Sequence, residues 1–216
     1  MKETVKLSTT SLSAMKTVYI HIGLEKTGTT TLQKFLTDNE SVLRKKRFYY
    51  LCDDTKLYFE GIGHFPLAAC FHVDSPKFIS EEKFHSPAEV LRTLKFDINR
   101  CDGNVILSCE HLSSRLDKRE YLESIRTSLP NQNIKIICYL RRQDEMALDA
   151  YSTMVCYGRV NPITIAEVIG CNSDYFDYKK ICDLWASVFG HENVILREYK
   201  RSNFEGGDIR RDFLNL

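Results

Sequence analysis

Residues 18–36 read VYIHIGLEKTGTTTLQKFL and gather the groups that hold an anion. Lys26 offers a cation, and Thr27, Thr29, Thr30 and Thr31 offer hydroxyl donors. Gly23 and Gly28 let the backbone turn its N–H groups toward a ligand. Val18, Tyr19, Ile20 and Ile22 before the turn read as a strand, and Leu32, Phe35 and Leu36 after it share one face of a helix. A strand, a glycine turn and a helix N-terminus together present free N–H groups and the positive end of the helix dipole, which suits phosphate. The turn is not a Walker A loop. That motif places Lys directly after the last Gly, whereas Lys26 comes two residues before Gly28.

Two further groups could do chemistry. The run IKIICYL ends in Arg141 and Arg142, and a planar guanidinium at a strand end can fork onto phosphate oxygens. The run NVILSC (104–109) is followed by Glu110 and His111, either of which could accept a proton. His64, in GIGHFPL, is a third candidate base. His21 precedes the glycine turn and supports it from behind, and Arg197 ends the last apolar run.

Alternating strands and helices must position these residues. Strands are expected at 17–22, 48–51, 104–109, 134–140 and 193–196. Helices are expected at 29–38, 64–72, 116–129, 143–157 and 173–189, and one more opens at Ser86-Pro87 with Val90, Leu91, Leu94 and Ile98 on its apolar face. The pattern implies an α/β domain, three layers deep, with a mostly parallel sheet flanked by helices. Ligands of such sheets bind at the carboxyl ends of the strands. That rule gives weight to residues 23–30, Glu110, His111, Arg141, Arg142 and Arg197.

Composition narrows the class. With 216 residues and 43% hydrophobic content, residues 16–216 suit a single domain behind a loose polar segment at 1–15. A net charge of +1 gives no bulk case for nucleic acid or a membrane surface. The eight cysteines form no Cys-x-x-Cys pair, which argues against zinc and for free thiols in a reducing compartment. No apolar run reaches membrane-spanning length, so the sequence reads as cytoplasmic. The helix dipole and Lys26 can neutralise a bound phosphate group, so no metal is expected.

The turn Lys-Thr-Gly-Thr-Thr, preceded by His-x-Gly, resembles the 5′-phosphosulfate loop of sulfotransferases that use 3′-phosphoadenosine 5′-phosphosulfate (PAPS). The segment 134–155 resembles their 3′-phosphate motif, in which a strand-end Arg is followed eight residues later by Ser. Arg141 matches that Arg, but the eighth position holds Asp149. A carboxylate there repels a phosphate unless Arg142 neutralises it, and Ser152, nearly one turn on, could supply the hydroxyl. From Tyr178 to EGGDIRRDFL the chain resembles the C-terminal half of bacterial carbohydrate-type sulfotransferases, ending where such proteins often continue, as in a truncated or compact member. Residues 40–100 match poorly and read as an acceptor-side insertion.

The resemblance implies a P-loop-like fold and sulfuryl transfer from PAPS to a hydroxyl or amine of a carbohydrate or small molecule. The product would be adenosine 3′,5′-bisphosphate. It makes Lys26 the cation that eases bond cleavage and places Thr27, Gly28, Thr29, Thr30 and Thr31 on the 5′-phosphate. Arg141, Arg142 and Ser152 would serve the 3′-phosphate side, and Arg197, at the end of the last strand, could contact the 3′-phosphate or the acceptor. Glu110 is the first choice of base, then His111, then His64. Two alternatives stay open: a non-catalytic nucleotide-binding relative, and a nucleotide kinase with an atypical P-loop.

Overall fold

The computed structural model describes residues 16–72, 85–170 and 173–216. The N-terminal segment 1–15 lies outside them. Strand β1 (Thr17–His21) leads into α1 (Thr29–Asp38) and α2 (Glu40–Lys45), then β2 (Phe48–Tyr50). α3 (Phe65–Ala69) and α4 (Pro87–Arg100) precede β3 (Asn104–Ser108). α5 (His111–Arg115) and α6 (Arg119–Ser128) lead to β4 (Asn133–Leu140). Four helices then follow: α7 (Gln143–Cys156), α8 (Ile165–Gly170), α9 (Ser173–Phe176) and α10 (Tyr178–Phe189). β5 (Val194–Glu198) and α11 (Ile209–Leu214) complete the order.

The sheet is wholly parallel, in the order β2-β3-β1-β4-β5. Val105, Ile106 and Leu107 of β3 and Ile136 to Tyr139 of β4 are all buried. Such continuous apolar runs are what a parallel sheet covered on both faces requires. α4, α6 and α10 pack together on one side, and α1 meets α2 and α11. Within 40–100, the described residues include the edge strand β2 and the helix α4 that precedes β3.

Local chemistry explains several helix ends. Ser86 caps α4 reciprocally with Glu89, and Pro87 stands at the first turn. The helix expected at 173–189 is two, because Asp177 turns out of α9 and accepts the Lys180 N–H at 3.0 Å to cap α10. α10 stops at Gly190, whose φ is +91°. Among the described residues no helix is long and apolar enough to cross a membrane.

β1 lies at the centre of the sheet. Its connection leads to β2 on one edge, while that of β4 leads to β5 on the other. Chains leaving in opposite directions open a crevice beyond the carboxyl ends of β1 and β4.

Candidate active site

The loop after β1 is shaped by three left-handed residues: Gly23 (φ +35°), Lys26 (φ +64°) and Gly28 (φ +74°). A side chain at Gly23 would come 2.7 Å from the Thr29 methyl, so the loop closes only around glycine. Lys26 holds the left-handed conformation without being glycine, a strain that concentrates at functional sites. Thr27 is buried, and its hydroxyl donates to the Leu24 carbonyl at 2.6 Å, which locks the turn. Gly28 caps α1 with no side-chain hydrogen bond, and the first turn carries no acidic residue. The opening N–H groups of α1 therefore face the crevice with no anion of the helix's own, the arrangement that receives a phosphate-like group. The Lys26 side chain is exposed beside them.

A cavity of about 480 Å³ opens against this turn. Gly28 and Thr31 form one wall, and Tyr199, Arg201, Gly206 and Gly207 another. A side chain at Gly28 would stand 3.1 Å from the Tyr199 ring, so the ring covers the loop. Gly206 and Gly207 both have positive φ, +60° and +71°, which folds the chain after β5 back toward the loop. The volume falls within the range of small-molecule sites.

Beyond β3, Glu110 accepts a hydrogen bond from Gln33 Nε2 at 2.8 Å. Gln33 is fully buried in α1, about one turn past its N-terminus, so the carboxylate stands about a helical turn from the phosphate cradle. His111 Nδ1 lies 3.4 Å from Glu25 Oε1. Ser114 Oγ donates to the same oxygen at 3.0 Å, Arg115 is 3.9 Å away, and the Glu25 N–H donates to the Tyr175 hydroxyl at 2.6 Å. Burial would raise the Glu25 carboxyl, but hydrogen bonding and charge from His111, with Arg115 and Ser114, outweigh it and hold the group below its ordinary value.

Beyond β4, Arg141 Nη1 donates to the Lys26 carbonyl at 3.0 Å. Its Nε donates to Glu145 at 3.2 Å, and Nη1 also pairs with Asp149. Arg142 forks onto Asp144, at 3.1 and 2.7 Å, and is largely in solvent.

The sheet and its helices are similar to those of a solved sulfotransferase from Alicyclobacillus acidocaldarius. The match has a TM-score of 0.50 at 17% identity and covers 84% of this chain and 72% of that one. The likeness is one of fold, and the fold is sulfotransferase-like. No family model and no curated protein matches the sequence.

The structure brings Lys26, Gly28, Thr30, Thr31, Glu110, His111 and Arg141 to the carboxyl edge of the sheet. Thr27 and Thr29 are present but face inward, so they can offer a ligand only backbone N–H groups. Three sequence expectations meet other uses. His64 is sealed from solvent: Ser108 N–H donates to its Nδ1 at 3.2 Å, and Tyr50, Tyr58 and Phe59 surround its ring. Burial drives its pKa down to about 3, so it packs as a neutral core residue. Ser152 returns its hydroxyl to the Leu148 carbonyl at 3.0 Å. Arg197 pairs with buried Asp212, which also accepts the Tyr139 hydroxyl at 2.8 Å. The sequence reading missed Gln33, Tyr199 and Arg201. The Gly206-Gly207 pair after the last strand was the one local signal for the cavity wall.

Proposed function

We propose that this chain transfers a sulfuryl group from a nucleotide 5′-phosphosulfate, PAPS or a near relative, to a hydroxyl or amine of a carbohydrate or small molecule. The observation that carries the proposal is the uncapped α1 N-terminus beside Lys26, with Glu110 one turn away and held by Gln33. A phosphosulfate needs both halves of that arrangement.

The α1 N–H groups and the Thr31 hydroxyl hold the 5′-phosphate. Lys26 neutralises the charge that gathers on the bridging oxygen as its bond to sulfur breaks. Glu110 takes the proton of the acceptor as the acceptor's oxygen or nitrogen bonds to sulfur. The leaving nucleotide carries off the electron pair of the broken bond. Gln33 keeps the carboxylate facing the acceptor, and His111, tethered to Glu25, lines the same side.

Transfer of labelled sulfate from PAPS and from adenosine 5′-phosphosulfate to a panel of sugars and phenols tests this directly. Calorimetric binding of adenosine 5′-phosphates without Mg²⁺ is the accompanying expectation. Binding of ATP only with Mg²⁺, and of neither sulfate donor, would instead support a phosphoryl-transfer enzyme.

A further inference from the structure

The 5′-phosphate has a prepared cradle, but a 3′-phosphate does not fit the residues beyond β4. At the end of β4 Arg142 forks onto Asp144, and Arg141, beside the loop, has three of its five N–H groups engaged. Two of those bonds go to carboxylates. Arg141, Glu145 and Asp149 together carry one net negative charge, and both acids are 45% exposed, so a ligand that reaches Arg141 meets them too. A phosphate offers only acceptor oxygens here and would meet two carboxylates that are themselves acceptor-only when ionised. The match is electrostatically wrong, and it pairs acceptor with acceptor.

A ribose with free hydroxyls is the complementary partner. Each hydroxyl can donate to a carboxylate oxygen that Arg141 already orients. Dinucleotide sites follow the same logic, where an acid reads a sugar hydroxyl and an arginine reads a phosphate in its place. The Lys26–Arg141 hydrogen bond fixes this cluster against the phosphate loop, where the sugar of a 5′-nucleotide must follow its phosphate.

We propose that Asp149, with Glu145, selects a donor whose ribose carries a free 3′-hydroxyl, so that the substrate is adenosine 5′-phosphosulfate rather than its 3′-phosphorylated form. The proposal rests on the sulfuryl-transfer reading of the same crevice. Its effect is repulsive as much as attractive, since the carboxylates penalise the competitor.

Titration calorimetry with adenosine 5′-monophosphate and adenosine 3′,5′-bisphosphate tests it on the full chain and on Asp149→Ser. The wild type should bind the monophosphate at least as tightly as the bisphosphate. Asp149→Ser should shift the ratio at least tenfold toward the bisphosphate. Its melting temperature should move little, since exposed ion pairs contribute little stability. A wild-type preference for the bisphosphate, with Arg201 in the adjoining cavity as its holder, would overturn the proposal. So would a ratio that stays constant in Asp149→Ser. In both cases the sulfuryl-transfer reading survives. If neither nucleotide binds either protein, both readings fall together.

Discussion

Gln33 Nε2 donates to Glu110 Oε2 at 2.8 Å, joining the first helix to the end of the third strand across 77 residues. The donor is fully buried and the acceptor partly exposed, so the bond orients a carboxylate without removing it from the crevice. If Glu110 accepts the acceptor's proton, Glu110→Gln should lower kcat by roughly 10²- to 10⁴-fold. Gln33→Leu should cost less, about tenfold, and chiefly in kcat, because the base remains but wanders. Steady-state kinetics on both variants decide the matter. Wild-type turnover in Glu110→Gln would transfer the role to His111.

Lys26 presents a conflict between strain and function. Its backbone sits at φ +64°, where a side chain costs roughly 1–2 kcal/mol. Glycine removes that cost but gives back about 0.5–1 kcal/mol in chain entropy. Lys26→Gly should therefore be more stable than Lys26→Ala by about 1 kcal/mol, or roughly 2–4 °C in Tm. Both variants should lose most sulfuryl transfer. Differential scanning calorimetry paired with the transfer assay would show it. An active Lys26→Gly would remove the lysine from the chemistry.

Arg197 gives a prediction that separates structure from binding. Asp212 is buried, and Arg197 and Tyr139 are its partners. Arg197→Met leaves that carboxylate with the tyrosine alone, at a cost of about 3 kcal/mol, because solvent screens a guanidinium that is 40% exposed. Tm should fall by roughly 6–12 °C. Nucleotide affinity at a temperature where the variant is folded should stay within about twofold, since each factor of ten needs about 1.4 kcal/mol of lost contact. A tenfold weaker titration would place Arg197 on the ligand.

The sequence made the first strand, the loop and α1 readable because three local signals coincide there: an apolar run, two glycines and a helical stripe. β3 and β4 were readable for a related reason, since a parallel strand buried on both faces cannot hide its composition. The break at Asp177 was not, because an apolar stripe runs through it and only the cap turns the chain. The short helices α2, α8 and α11 have too few turns to show a period. Partners such as Gln33 with Glu110, or Arg197 with Asp212, are set by tertiary packing and leave no spacing to detect. Asp149 was visible as a departure from a motif. Its hold on Arg141 became visible only in three dimensions.

Two histidines should make the protein sensitive to mild acid. His21 and His64 are both fully buried, and burial lowers each pKa from 6.5 to about 3. Between those values the unfolded chain holds a proton that the folded chain refuses at each site. Stability therefore rises with pH in that window and falls as pH drops below about 6.5. Each histidine contributes about 1.4 kcal/mol per pH unit once the unfolded form is protonated. Between pH 5 and 6 most carboxylates are already ionised in both states, so the slope of unfolding free energy there should approach about two protons. In His64→Asn the amide oxygen can still accept the Ser108 N–H, and the slope should fall by about one proton even if overall stability drops. Urea unfolding at several pH values measures this. A slope unchanged by the substitution would mean that His64 is protonated in the folded state, contrary to its place in the core.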